Sequence, residues 1–237
     1  MGFRGRAGGA DHSLMAKGQA RRGPAALVAL VTVFAVVIHA PAALAFPYKR
    51  AVGGVTVYAE QPIAPQIDQI VGRAEALAAA SPLAVAGHGG QIFLTDGGWR
   101  WRLLTLQSSG AFGVSRPLSS AVVVNRNDIA HDRVFNGRTV GGERTLSGVV
   151  AHEWTHQMTR AHFGATADAR YPAWLTEGYA DHIAGGGSLS DAQAADLTAR
   201  GEDHPALVYY DGRKRVEGEL ATNGGSVDKL FAHWKKF

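Results

Sequence analysis

The 237-residue chain contains no cysteine. That excludes a disulfide framework and a thiolate nucleophile, and it suits an exported protein that must avoid mispairing in oxidising surroundings. Beyond Ala45 there is no internal repeat, no low-complexity tract and no apolar run long enough to cross a bilayer. Nor is there a charge excess in that region. Of 24 Lys+Arg and 20 Asp+Glu, five basic residues and one acid precede Phe46, leaving 19 of each. The overall excess of +4 therefore belongs to the leader and argues for no nucleic-acid partner.

What the leader does have is a targeting pattern. Arg4, Arg6, Lys17, Arg21 and Arg22 precede an uncharged apolar run from Ala25 to Ile38, then Pro41 and Ala43-Leu44-Ala45. Basic region, apolar region and A-x-A site in that order predict a signal peptide over residues 1–45, cut after Ala45. An uncleaved membrane anchor is the alternative, and Met15 is a second possible start. With the leader gone, no membrane span remains. The remaining residues, about 190, suffice for one compact domain with two lobes.

Along that domain, residues 54–59 alternate like a strand, and 65–80 show a helical period through Ile67, Ile70, Val71, Ala74, Leu77 and Ala78. Residues 91–95 read as a short strand. Residues 99–106 fit either a helix or a strand. Residues 120–125 (Ser-Ala-Val-Val-Val-Asn) form the clearest strand pattern, either at a sheet edge or inside the core. Gly141-Gly142 breaks the chain before a helix for which Thr145 is the expected N-cap, with Leu146, Val149 and Val150 facing the core.

That helix carries His152-Glu153-Trp154-Thr155-His156, an HExxH motif. Residues at i and i+4 share a helix face, so both imidazoles can converge on one metal ion. Glu153 lies about 100° further round, beside the metal, where it can take a proton from a water that the metal activates. A catalytic zinc site needs a third protein ligand and an open position. Pro172-Ala173-Trp174-Leu175-Thr176-Glu177-Gly178-Tyr179-Ala180-Asp181 supplies it on a second helix, which starts at Pro172 and ends near Gly185-Gly186-Gly187. Glu177 and Asp181 share a face. One carboxylate can bind metal while the other accepts the second N–H of a ligand histidine.

Together these two motifs make residues 145–234 resemble the gluzincins, the thermolysin-like and aminopeptidase-like zinc peptidases (the peptidase MA-like group). The resemblance implies Zn²⁺ held by His152, His156 and Glu177, with Glu153 as general base and Asp181 holding His152. It also implies an α+β, zincin-like catalytic domain over residues 46–237. A small mixed-sheet lobe would precede a helical lobe, with the HExxH helix between them. In that family a sheet edge beside the zinc helix holds the peptide substrate extended, and residues 120–125 are the candidate edge. A late-helix Tyr would face the metal and hydrogen-bond the developing oxyanion. Tyr210, Tyr209 and His204 are the candidates, with Tyr210 favoured because Tyr209 shares a face with Val216 and Leu220. Asp211-Gly212 argues for a turn there instead of a helix.

Other readings stand beside these. The metzincin pattern would use His162 as third ligand, but Thr159 occupies the position of its glycine. An aminopeptidase needs an acid for the substrate amine, for which Glu60, Glu143 and Asp128 are candidates. Trp99-Arg100-Trp101-Arg102 reads as packing tryptophans with solvated arginines, and Arg213-Lys214-Arg215 as a solvated face. His88, His131 and His233 lack partners at ligand spacing, and His182 is read as a neighbour of the site without a role. The expected protein is an exported (secreted, periplasmic or cell-envelope) zinc peptidase acting on peptide or protein substrates, tending towards endopeptidase. The alternatives are an inactive zinc-binding module and a zinc hydrolase of non-peptide amides or esters.

Overall fold

The computed structural model describes residues 22–84 and 90–234. The basic leader before Arg22, Met15 and His88 lie outside the described residues. In chain order the elements are α1 (Arg22–His39), β1 (Tyr48–Val52), β2 (Val55–Ala59), α2 (Ile67–Ala79), β3 (Gly90–Leu94), α3 (Trp99–Thr105), β4 (Gly113–Ser115), β5 (Ala121–Val124), β6 (Asn127–Asp128), β7 (Arg133–Phe135), β8 (Glu143–Thr145), α4 (Leu146–Phe163), α5 (Ala167–Arg170), α6 (Ala173–Ile183), α7 (Asp191–Ala199), α8 (Pro205–Asn223) and α9 (Val227–Ala232). The protein is α+β.

Strand order in the five-stranded sheet is β1-β2-β3-β5-β4, with β2-β3-β5 parallel and both outer pairs antiparallel. Alternation in β2 sends Val55, Val57 and Ala59 to one face. There, with Ile92, Leu94, Val122 and Val124, they meet α2 and α4 in the main core. The opposite face carries Phe93, Ala121 and Val123 under Trp101 and Leu104 of α3. All four residues of β5 are buried because both faces of the sheet are covered. Residues 120–125 therefore form an internal strand, not the edge. Among the described residues the sheet's outer strands are β1 and β4, and it is β4 that runs beside α4. A three-residue strand beginning with glycine carries almost no alternation, so its sequence gives little sign of it. A separate antiparallel sheet, β6-β7-β8, leads into α4.

Helix α4 begins where expected: the Gly148 amide donates to the Thr145 hydroxyl at 3.2 Å. Leu146, Val149 and Val150 are buried. Helices α6 and α8 cross closely, because a methyl group on Gly178 would overlap the Gly212 backbone and one on Gly212 would overlap the Trp174 carbonyl. Gly212 thus lies inside α8 and serves a helix contact, so Asp211-Gly212 is not a turn. Arg215 fits between the Trp174 and Trp234 rings at 3.7 and 4.0 Å, and Arg213 pairs with Glu217, so that basic run is not simply solvated. The 99–102 segment also departs from expectation. Trp101 is buried and Arg102 exposed, but Trp99 is 56% exposed while Arg100 is held by Glu60.

At the N-terminal end, α1 exposes Leu27, Val28, Leu30, Val31, Val33 and Phe34. Among the described residues no helix is long and apolar enough to cross a membrane. The following turn is folded onto the domain: Pro41 is buried, Leu44 and Phe46 pack on the second core, and Arg100 donates to the Leu44 and Ala45 carbonyls.

Candidate metal centre

One turn of α4 presents His152 and His156, and α6 brings Glu177 to the same point. One donor atom from each lies within 4.8 Å of the others. The two imidazole Nε2 atoms are 3.1 Å apart, and Glu177 Oε2 stands 3.2 and 3.4 Å from them. Both histidines are buried. Their outer nitrogens face carboxylates. His152 Nδ1 is 2.7 Å from Asp181 Oδ1, and His156 Nδ1 is 3.5 Å from Asp168 Oδ1. Each carboxylate is matched by an arginine, Arg144 to Asp181 at 2.8 Å and Arg160 to Asp168 at 2.7 Å. With His152 Nδ1–H donating to Asp181 and His156 Nδ1 turned towards Asp168, two Nε2 lone pairs and a carboxylate oxygen converge on one point. Such a group is repulsive unless a cation or protons lie between its members, so the donor set fits a divalent metal.

The electrostatics carry the same signature. For His156, burial opposes charging, but the Glu177 carboxylate with Asp168 and Glu153 raises its pKa well above the ordinary histidine value. His152 is raised too, through Asp181 and Glu177 acting against its burial. Burial pushes Glu177 upward, yet the two imidazoles hold it far below the usual carboxylate range. Asp181 is likewise lowered against burial, by Arg144 and His152.

These groups line a cavity of about 540 Å³. Glu153 lies in its wall and is 6% exposed, next to β4. A Cβ on Gly113 would approach its Oε1 to 3.2 Å and the Val149 side chain to 2.8 Å. Glycine at 113 is what allows the edge strand so near the Glu153 face of α4. Tyr209 enters from α8, its ring centroid 6.4 Å from that of His152. The Glu177 charge, then burial and Glu153, raise its pKa, so the phenol stays a donor.

Tyr210 is not in the cavity. Its hydroxyl donates to Asp191 at 2.9 Å and its ring packs on the cluster around Leu197. The helical wheel at 209–216 misled because α8 packs on α6 through Gly212, which turns Tyr209 inward. His204 is also elsewhere, capping α8 by accepting from the Ala206 amide at 3.2 Å. His162 pairs with Asp228 on the surface at 2.7 Å and stands apart from the ligand group. Glu60, Glu143 and Asp128 are paired with Arg100, Arg133 and His131, and none lines the cavity. His233 bonds the Lys229 carbonyl, and His182 sits between Tyr179 and Glu217.

Arg144, Arg160 and Asp168 were not anticipated. Arg160 continues the His152, His156 face by one more i+4 step, which is a readable signal. Asp168 and Arg144 have no comparable spacing. No protein-family model, curated protein or solved structure matches the chain.

Proposed function

We propose that the chain is an exported, zinc-dependent peptidase of the gluzincin kind. The observation that carries this reading is the convergence of His152, His156 and Glu177 in one cavity with Glu153, beside a free strand edge. The five-stranded sheet before α4 and the helices after it then correspond to a zincin-like pair of lobes. A bound Zn²⁺ supplies Lewis acidity, polarising a carbonyl and lowering the pKa of water.

The chain's own residues do the rest. Asp181 and Asp168 fix the tautomers of His152 and His156, keeping both Nε2 lone pairs directed inward. Edge strand β4 offers backbone hydrogen bonds to an extended substrate, independent of its sequence. Glu153 takes a proton from the attacking water and returns it to the leaving amine. Tyr209 donates to the oxyanion that develops on the attacked carbonyl. Export rests on the basic leader and the apolar α1 with its uncovered leucines and valines. Because Arg100 holds the Leu44 and Ala45 carbonyls in the folded domain, cleavage after Ala45 belongs to the chain in transit, before folding.

Metal analysis and cleavage of a quenched casein or peptide pool test this directly. One zinc per chain is expected, with turnover lost by on the order of 10³-fold or more in Glu153→Gln while metal is retained. Glu177→Ala should lose the metal. Turnover that survives Glu153→Gln would sink the mechanism. Stoichiometric zinc without any cleavage would favour an inactive module or a non-peptide substrate.

A further inference from the structure

Two of the three arginines in the cleft wall are spent internally, Arg144 on Asp181 and Arg160 on Asp168. The third is not. Among the described residues Arg138 makes no ion pair; it is exposed, and a Cβ on Gly110 would stand 3.9 Å from its guanidinium. Gly110 belongs to the turn that leads into β4, three residues before Gly113. At this end the cleft meets a second cavity of about 320 Å³. The two share Asn136, and their walls continue into each other through Ser108-Ser109 and Gly137-Arg138.

The second cavity adds two exposed arginines, Arg102 and Arg126, neither with a carboxylate partner among the described residues. Arg126 lies over the Phe135 ring at 5.4 Å, which orders its position without neutralising it. The acid in this cavity wall is Asp96, whose Oδ1 accepts from the Gly98 amide at 2.7 Å. Two unpaired cations against one carboxylate line the second cavity, and Arg138 stands where it joins the first. Elsewhere among the described side chains the arginines have a carboxylate partner, except that Arg116 and Arg170 donate to backbone carbonyls and Arg215 lies on two tryptophan rings. Unpaired like charges held together repel unless an anion joins them.

We propose that this arginine-lined arm, Arg138 with Arg126 and Arg102, takes an acidic segment of a polypeptide substrate, on the Gly110 side of the bond held at Glu153. The proposal rests on the peptidase reading for what lies in the cleft. An acidic peptide fits better than a nucleic acid because Trp101, the tryptophan in the arm, is buried and bonded through Nε1 to the Ser109 carbonyl, and the other ring in this cavity wall, Phe135, lies under Arg126.

The test uses the full chain loaded with Zn²⁺ and carrying Glu153→Gln, so that bound peptides persist. Labelled decapeptides of one host sequence would carry Glu-Glu, Gln-Gln or Lys-Lys near either end. Expected is binding of a Glu-Glu peptide roughly tenfold tighter than Gln-Gln, with Lys-Lys weakest and the advantage shrinking as salt rises. Arg138→Gln combined with Arg126→Gln should erase the preference, and Arg138→Glu should invert it. All three side chains are exposed, so the variants should melt as the parent does. Equal binding of the three peptides, no binding by any, or a preference that survives the double variant would overturn the arm. So would a single-stranded oligonucleotide that binds as tightly as the acidic peptide. Hydrolysis of the host peptide by the unsubstituted chain separates the two ideas. Turnover without acidic preference removes the arm alone; acidic preference without turnover keeps the arm and removes the peptidase.

Discussion

His152 and His156 meet the same kinds of neighbour, though Asp181 is buried at hydrogen-bond distance from the first while Asp168 is part-exposed and 3.5 Å from the second. Each faces the metal point with Nε2, turns Nδ1 to an aspartate, and has that aspartate backed by an arginine. Four charges outside the candidate ligand set thus stand behind the two imidazoles, while Arg144 also donates to the Gly186 carbonyl and Arg160 to the Ser115 hydroxyl. Glu153 stands apart from that arrangement, in the wall of the cavity, which suits the proton exchange proposed for it. Tyr209 is the remaining polar side chain from the helical side with access to the metal point. If it donates to the oxyanion, Tyr209→Phe should lower kcat by on the order of 10²-fold with KM nearly unchanged. Tyr210→Phe, which loses only a surface bond to Asp191, should leave kcat alone. Steady-state kinetics on the pair decide it, and equal effects would remove the assignment.

At the scale of elements, α4 is unusual in being buried nearly all round while carrying His152, Glu153, Thr155, His156, Thr159 and Arg160. A helix enclosed on every side is ordinarily apolar, so a buried polar run marks a site. This much was legible: the HEWTH spacing, the Thr145 cap and the Glu177–Asp181 face each depend on contacts within one helix. What was not legible depended on contacts between elements. Nothing local says that β4 and not β5 is the edge, since β5's run of four apolar residues fits either place until its neighbours are known. Asp211-Gly212 was similarly opaque, because a glycine that opens a turn and one that admits a neighbouring helix look the same in sequence. The α6–α8 crossing also sets which tyrosine enters the cavity. Gly212→Val should then force the helices apart, costing about 1–3 kcal/mol in denaturant unfolding. It should also lower activity by moving Tyr209. A variant as stable and active as the parent would show that the crossing has slack.

For the whole molecule, the candidate metal point (His152, His156 and Glu177) is a clasp between α4, which rests on the sheet, and α6, which is packed on α8. Without a cation, Glu177 and the two imidazoles need protons to coexist, and the raised pKa values of both histidines express that. A group whose folded pKa lies above its unfolded value stabilises fully below the unfolded value, near 6.5, and that contribution fades as pH rises through the folded one. The metal-free chain should therefore lose stability from about pH 6.5 upward. Below the ordinary Glu range the depressed Glu177 acts in the opposite sense, its contribution being lost as pH falls. A bound divalent cation replaces the protons and needs the neutral imidazoles, so its stabilising effect should grow over the same interval in which the protons leave. At a free metal concentration 1,000 times Kd the gain is about 4 kcal/mol, enough for a shift of several degrees in Tm. Thermal melts of chelated and zinc-loaded chain at pH 6 and pH 8.5 measure this. The separation between the two melts should be wider at pH 8.5, and Glu177→Ala should abolish it at both. A separation independent of pH would mean that the imidazoles are already neutral in the metal-free fold, and the clasp would then be held by something other than shared protons.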